Sequence, residues 1–292
     1  MTVRVVAPAS TANLGPGFDT AAAALELWNE VTVEEGRFSN GSGVEIEGEG
    51  ADELPRDDSH LTLRAFALFA PAEGYRFSFV NRVPLERGLG SSAAAIALGL
   101  VAGATLAGSS TRPGDLLAAG VPIEGHADNL AAALYGGVCF AMKRNGTIHA
   151  ARIAADMPAV AIVAMPATRT HTTTSRSALP ATVTHADAAH NAASAALLGA
   201  GIAHGDAQLL RDAFDDRLHE QYRAPNAPLL KALRTNAPEG TVGVTLSGSG
   251  PSVVVWAERG RAEEVARALE ASAPEDTKIM PLRIASEGAH AA

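Results

Sequence analysis

Lysine is almost missing from this chain. In 292 residues it occurs three times, as Lys143, Lys231 and Lys278, and none of these lies in a glycine-rich segment. A phosphate loop of the pattern G-x-x-x-x-G-K-[ST], which ends on a lysine, is therefore excluded. Cysteine is scarcer still. Cys139 stands alone, so no disulfide can form within the chain, and a reducing compartment is expected. Its apolar setting, GGVCFAM, reads as a strand with a small buried thiol. Aromatic residues make up 4%, so the core is expected from Ala, Val and Leu in close packing. Positive charge is also short: 23 Lys plus Arg face 32 Asp plus Glu, a net charge of −9, which argues against nucleic acid as a partner. The most apolar stretch, AAAIALGLVAGATLAG, is rich in Gly and Ala and falls short of the roughly 18 residues of a membrane span. It reads as a buried helix, with no membrane partner. The opening residues MTVRVVAPAS carry Arg4 inside a short apolar run, so no secretory leader is expected and a cytoplasmic location is.

What is present is enough for a folded core: 47% of residues are hydrophobic and 19% charged. Strands are expected at 3–7, 30–34, 44–49 and 75–80, the last two from alternation of apolar and polar residues. Asp57-Asp58-Ser59 reads as the cap of a helix over 61–69. Helices are expected from Ser91 or Ser92, at 115–119 and at 126–134. Asn145-Gly146 predicts a hairpin joining strands 137–142 and 147–153. Beyond a weak seam at 155–158 come a strand at 160–165, helices across 186–217 and 226–236, strands at 241–246 and 252–257, a helix from 260 and a strand near 279–284. The tail GAHAA is expected to fray. The chain thus divides into residues 1–155 and 156–292, and the class is α+β. The helices of the second half are read as able to support a homodimer.

Three loops carry chemistry. Pro84-Leu85-Glu86-Arg87-Gly88-Leu89-Gly90-Ser91-Ser92-Ala93-Ala94 runs from a strand into an Ala-rich helix. Its glycines permit a tight turn, and the helix start offers unpaired N–H groups and a favourable dipole to a phosphate. With no lysine nearby, phosphate charge calls for Mg2+. Ser92 can supply a hydroxyl to such an ion, and Glu124, in IEGHADN, a carboxylate. The second loop, in PASTANLGPGFD, places Asn13 and Asp19 beyond the first strand, a position suited to orienting a substrate. The third, Ser247-Gly248-Ser249-Gly250-Pro251-Ser252, lies between two strands and is a second backbone-donor loop. Each loop alone also fits a plain capped turn or bulge.

In this order the three segments resemble the motifs of the GHMP kinases, and PASTANLGPGFD resembles the homoserine kinase branch of that family. EGHADN at 124–129, Thr172-x3-Arg176-x2-Leu-Pro and Asp216-x2-His-Glu-x2-Arg223 point the same way. The resemblance implies a two-domain fold, with an N-terminal domain like the second domain of ribosomal protein S5, containing a left-handed β-α-β crossover, packed on a ferredoxin-like C-terminal domain. It implies that residues 84–94 wrap the phosphates of ATP, with residues 247–250 beside them. Ser92 and Glu124 match magnesium ligands. Asn13, Asp19 and Asn129 match residues around a substrate amine and hydroxyl; Thr172, Arg176 and Arg223 match residues near its carboxylate. The implied reaction is ATP-dependent phosphorylation of the side-chain hydroxyl of homoserine, a step toward threonine. Arginines suit planar capture of a carboxylate, and an acid suits an ammonium.

Some positions depart from the family pattern. An aspartate serves as base in mevalonate kinase-like members; here that position is Asn129, and an amide cannot take a proton. Asp128 is adjacent, and the expectation is that no strong base is needed. Asn129-Leu-Ala-Ala-Ala replaces a proline-containing run, and His60-Leu61 stands where an Asn-Leu pair is common near adenine. Two alternatives stay open: a sister kinase acting on threonine or mevalonate, and a non-catalytic sensor of the same fold. The sensor should have lost Glu124, Ser92 or a loop glycine, and all are intact.

Overall fold

A computed structural model describes residues 1–36, 43–170 and 172–292, without the side chains of 172–174. Two sheets organise it. The first contains β1 (Thr2–Ala12), β2 (Ala21–Glu35), β3 (Val44–Gly48), β4 (Tyr75–Asn81), β5 (Val138–Arg144), β6 (Thr147–Ala154) and β11 (His290–Ala291). Its main path runs β11-β1-β2-β4-β3, while the start of β2 also pairs with β5, which pairs with β6. All pairs are antiparallel except β3 and β4, which are parallel and joined through α1 (Leu61–Phe66). Covering this sheet are α1, α2 (Ser91–Leu106), α3 (Pro113–Glu124) and α4 (Asp128–Tyr135).

The helix α2 is apolar on all sides because it is buried on all sides. Its glycines permit the close packing that Ala-rich composition predicts. A Cβ at Gly99 would stand 2.1 Å from the carbonyl oxygen of Thr62, and one at Gly103 would stand 2.7 Å from that of Phe66. The absence of side chains at both positions lets α1 lie directly on α2.

The second sheet has the order β10-β7-β9-β8, formed by β7 (Val160–Pro166), β8 (Thr241–Leu246), β9 (Val253–Ala257) and β10 (Thr277–Leu282). Strand alternation splits its side chains between two cores. Ile162 and Ala164 of β7 meet α9 (Pro228–Thr235) and α10 (Ala262–Ser272), while Ala161 and Val163 face a core shared with Ala21, Ala23 and Leu25 of the first sheet. That shared core also receives α6 (His185–His204) and α7 (Ala207–Ala213). The short α5 (Thr172–Ser177) and α8 (Glu220–Arg223) reach the loop between β8 and β9, through Ser175 Oγ to the Ser249 carbonyl and Arg223 Nη1 to the Gly248 carbonyl.

Four expectations change. The first strand extends to Ala12, so Pro8 to Ala12 are ladder residues and only the residues after Ala12 form the loop. The second strand begins at Ala21, where small side chains pack with Ala132 and Ala285. α1 ends at Phe66, and its cap is His60, whose ring accepts the N–H of Thr62, not the Asp57 turn. The tail is not frayed: His290 and Ala291 pair with Val6 and Val5, and the Ala292 N–H donates to the Arg4 carbonyl. The predicted hairpin turn forms, with Asn145 and Gly146 both at positive φ.

Candidate active site

The glycine loop is held from behind by the loop between β8 and β9. Ser247 Oγ donates to the Gly88 carbonyl at 2.6 Å and lies 2.9 Å from Thr11 Oγ1. A Cβ at Gly88 would fall 2.2 Å from the Ser247 carbonyl oxygen, and one at Gly90 would fall 2.0 Å from Ser10 Oγ. Both glycines have positive φ, at 75° and 66°. Steric space and backbone conformation therefore both select glycine. Gly90 caps α2 without any side-chain hydrogen bond, and the first intrahelical bond runs from the Ala94 N–H to the Gly90 carbonyl. The N–H groups of the first turn are left for an anion.

Close to this helix start, Ser92 Oγ donates to Glu124 Oε1 at 2.8 Å. Glu124 is the last residue of α3. Burial, with a smaller push from Asp128, raises its carboxyl to about 7, against the lowering effect of the Ser92 hydroxyl. A half-buried carboxyl with a raised pKa beside a hydroxyl would be ionised readily by a cation. Among the described residues no three His, Cys, Asp or Glu side chains gather as a metal cage. Two oxygen donors beside a phosphate cradle fit Mg2+, which keeps phosphate and water ligands. They do not fit a dedicated protein cage.

The loop after β1 is tightly wound. Asn13, Leu14 and Gly15 lie in succession at positive φ, as does Asp19. Asn13 is 3% exposed and commits both ends of its amide: Nδ2 donates to the Gly248 carbonyl at 2.9 Å, and Oδ1 accepts the Asp19 N–H at 3.0 Å. It thereby ties this loop to the β8–β9 loop and orients Asp19. Arg176 Nη2 reaches both carboxylate oxygens of Asp19, at 2.7 and 2.8 Å. Arg223 is buried; its Nη1 donates to the Gly248 carbonyl and lies 3.1 Å from His219 Nδ1, while its Nε has no partner among the described residues. Both guanidinium carbons flank the Phe18 ring, 5.6 Å from its centroid for Arg176 and 5.3 Å for Arg223.

Asn129 Oδ1 accepts the Ser10 hydroxyl at 2.8 Å, directly under Gly90. Asp128 is 4% exposed, and its Oδ1 accepts the Asn129 N–H at 2.7 Å. Burial raises its carboxyl above the usual range, assisted by Asp19 and opposed by the Asn129 N–H and by His126.

One cavity of about 540 Å3 joins these groups. Pro84, Leu85, Glu86, Arg87, Gly88, Leu89, Gly90, Ser91 and Ser92 line it, together with Asn13, Asp19, Glu124, Asp128, Asn129, Arg176, Arg223, Gly248 and Ser249. Ala93 and Ala94 are wholly buried in α2, and Ser247 and Gly250 stand behind the lining. Thr172 opens α5, but its side chain lies outside the described residues.

The sequence reading overlooked Phe18, Ser10, His219 and the Glu53–Arg169 pair. Phe18 had a signal, as an aromatic residue inside a glycine-proline loop of a chain with few aromatics. His219 had a weaker one, its place in the Asp216 to Arg223 segment. Its ring stacks on Phe18 at 5.0 Å and its Nε2 contacts the Gly15 carbonyl. Glu53 and Arg169, which pair through two hydrogen bonds and line the cavity, lie far apart in sequence and had none.

A glycine cradle at a helix start, an oxygen pair beside it and an acid–arginine cluster in the same cavity define a phosphotransferase site for a small molecule. The family models agree: residues 60–137 match the GHMP kinases N terminal domain, and residues 192–275 match GHMP kinases C terminal. Homoserine kinase from Streptomyces coelicolor is 40% identical over 295 residues, spanning 98% of this chain and 93% of that protein. Homoserine kinase from Moorella thermoacetica is 38% identical over 271 residues, spanning 91% and 90%. The crystal structure of homoserine kinase from Cytophaga hutchinsonii shares the fold with a TM-score of 0.84 at 26% identity, over 100% of this chain and 97% of that one. The chain belongs to the homoserine kinase branch of the GHMP kinases.

Proposed function

We infer that the chain transfers the γ-phosphoryl group of ATP to the side-chain hydroxyl of L-homoserine, yielding O-phospho-L-homoserine and ADP. The observation that carries this reading is the continuity of one cavity from the α2 cradle to the Asp19–Arg176–Arg223 cluster. A zwitterionic amino acid is the complement of that cluster, with its ammonium toward Asp19 and its carboxylate toward the arginines. Phe18 fixes the spacing of the two guanidinium groups by lying against both.

The α2 N–H groups and the turn at 88–90 bind the phosphates. Ser92 Oγ and Glu124 would hold Mg2+, which when bound neutralises charge on the phosphate oxygens. Asn13 acts as a positioning residue through Asp19 and the Gly248 carbonyl. Asn129, anchored by Ser10, orients the attacking hydroxyl. The transition state is loose and gains most from positioning and charge, so the hydroxyl proton does not require a strong protein base. Asp128 contributes by fixing the start of α4, where its carboxylate oxygen holds the Asn129 N–H.

An ADP-release assay with homoserine, threonine, mevalonate and no alcohol tests the reading. Homoserine is expected to give the highest kcat/KM. Background turnover with homoserine alongside clear turnover of another alcohol would overturn it.

A further inference from the structure

His219 is wholly buried, and both of its ring nitrogens are engaged. Nδ1 lies 3.1 Å from Arg223 Nη1. A guanidinium carries only N–H groups, so Nδ1 must accept, and the proton of the ring belongs on Nε2. Nε2 then donates to the Gly15 carbonyl at 2.8 Å, which suits that tautomer and not the other. A protonated ring would set N–H against N–H and charge against charge where no solvent reaches. The backbone beneath the ring is fixed as well. Asp216 Oδ2 accepts the N–H groups of His219 and Glu220 at 2.9 and 2.8 Å, and Glu220 Oε1 accepts the Leu246 N–H at 2.6 Å. Phe18 stacks on the ring, with centroids 5.0 Å apart.

Arg223 Nη1 is committed to two acceptors, His219 Nδ1 and the Gly248 carbonyl, both at 3.1 Å. Nη2 bonds to none of the described residues, and Arg223 lines the cavity. The ring thus decides which end of the guanidinium is left for a ligand. Gly15 belongs to the loop that carries Asn13 and Asp19, so one imidazole joins the loop bearing the acid to one of the arginines. We propose that His219 is a positioning residue for the amino-acid substrate: its neutral ring holds Arg223 so that Nη2 meets the substrate carboxylate. The proposal rests on homoserine occupying this cavity, and it goes beyond that reading by naming the group that sets the arginine. Both ring nitrogens are taken up by Gly15 and Arg223, away from Ser92 and Glu124, so the effect falls on the amino acid and not on ATP.

Two near-isosteric variants separate the ring nitrogens. His219→Asn puts an amide oxygen where Nδ1 stands and keeps the acceptor for Arg223. His219→Gln puts its amide where Nε2 stands, keeps the bond to Gly15 and leaves Arg223 without that acceptor. In an ADP-release assay, His219→Gln is expected to raise KM for homoserine about tenfold, with His219→Asn within about threefold of the wild type. KM for ATP and kcat at saturating homoserine should change by less than about twofold in both, which also reports that both fold. In an Arg223→Gln background, His219→Gln is expected to alter KM for homoserine by less than about twofold, because it acts through the arginine. An unchanged KM in His219→Gln, or equal losses in the two variants, would overturn the inference and leave the kinase reading standing. Full additivity with Arg223→Gln would overturn it too. Absence of homoserine turnover by the wild type would remove both. If the variants fold poorly, long-range proton–nitrogen NMR spectra of the wild type decide the matter: the His219 proton is expected on Nε2, and a proton on Nδ1 would overturn the inference.

Discussion

Arg176 and Asp19 satisfy each other in the structure, and that pairing defines what can displace it. A ligand with a carboxylate alone would leave Asp19 without its counter-charge. A zwitterion replaces both halves of the pair at once. Arg176→Gln removes the charge but keeps a hydrogen-bond donor, so it should raise KM for homoserine roughly 10- to 100-fold. KM for ATP should change by less than about twofold, and steady-state kinetics with each substrate varied in turn would show the split. Asp128 tests a different property. If its role is to hold the Asn129 N–H, Asp128→Asn keeps an oxygen acceptor, and kcat should fall by no more than about tenfold. A loss of several orders of magnitude, with KM and folding unchanged, would identify Asp128 as the base. The charged and glycine residues of this site were legible in the sequence because their types are chemically specific. Phe18 and His219 were less so, because an aromatic side chain gains a role here only through two arginines brought in from other elements.

The start of α2 shows how an element becomes a site. Gly90 has no room for a methyl group, since Ser10 Oγ would lie 2.0 Å away and Asn129 Oδ1 3.1 Å away. Gly90→Ala should therefore displace Ser10 and Asn129 as well as the turn. It is expected to abolish ATP binding in calorimetry and to cost about 1–3 kcal/mol of stability in urea unfolding. The helix α1 offers a pH-dependent counterpart. The folded-state pKa of His60, about 4, lies below the ordinary 6.5, so the unfolded chain binds a proton first as pH falls. The contribution of neutral His60 is complete above pH 6.5 and is lost between 6.5 and 4. About 2 kcal/mol should be gone by pH 5. Urea unfolding of wild type and His60→Asn across pH 7 to 4.5 should show a shallower decline in the variant. The sequence pointed to a helix here but to the wrong cap, because Asp57, Asp58 and Ser59 are better intrinsic caps than histidine. Packing against Phe79 decided otherwise. The Ala-rich start of β2 was hidden for a similar reason. Alanine has little intrinsic strand preference, and only the need for small side chains against Ala132 and Ala285 places it in the sheet.

At the scale of the whole molecule, the chain crosses between the sheets twice, and the second crossing was invisible in the sequence. After β10 in the second sheet, the Ala285 N–H donates to the Ala24 carbonyl, and the Gly137 N–H donates to that of Ala285. The Ala289 N–H then donates to the Ala133 carbonyl, before β11 closes the free edge of β1. GAHAA has no strand signal of its own. Its pairing depends on an edge whose position is set by the rest of the fold. Gly288 shows how close the approach is, for a Cβ there would stand 2.2 Å from the Leu134 carbonyl oxygen. Removal of residues 286–292 forfeits the β11 pairing, the Ala289 and Ala292 bonds and the bond from Arg152 Nη1 to the Ser286 carbonyl. At about 0.5–1 kcal/mol for each of these four, that is about 2–4 kcal/mol, or a fall in Tm of roughly 5–12 °C by calorimetry. None of the deleted residues lines the active cavity, so homoserine turnover at 25 °C should persist. An unchanged Tm would mean that the tail frays after all and that β1 needs no partner on its outer edge.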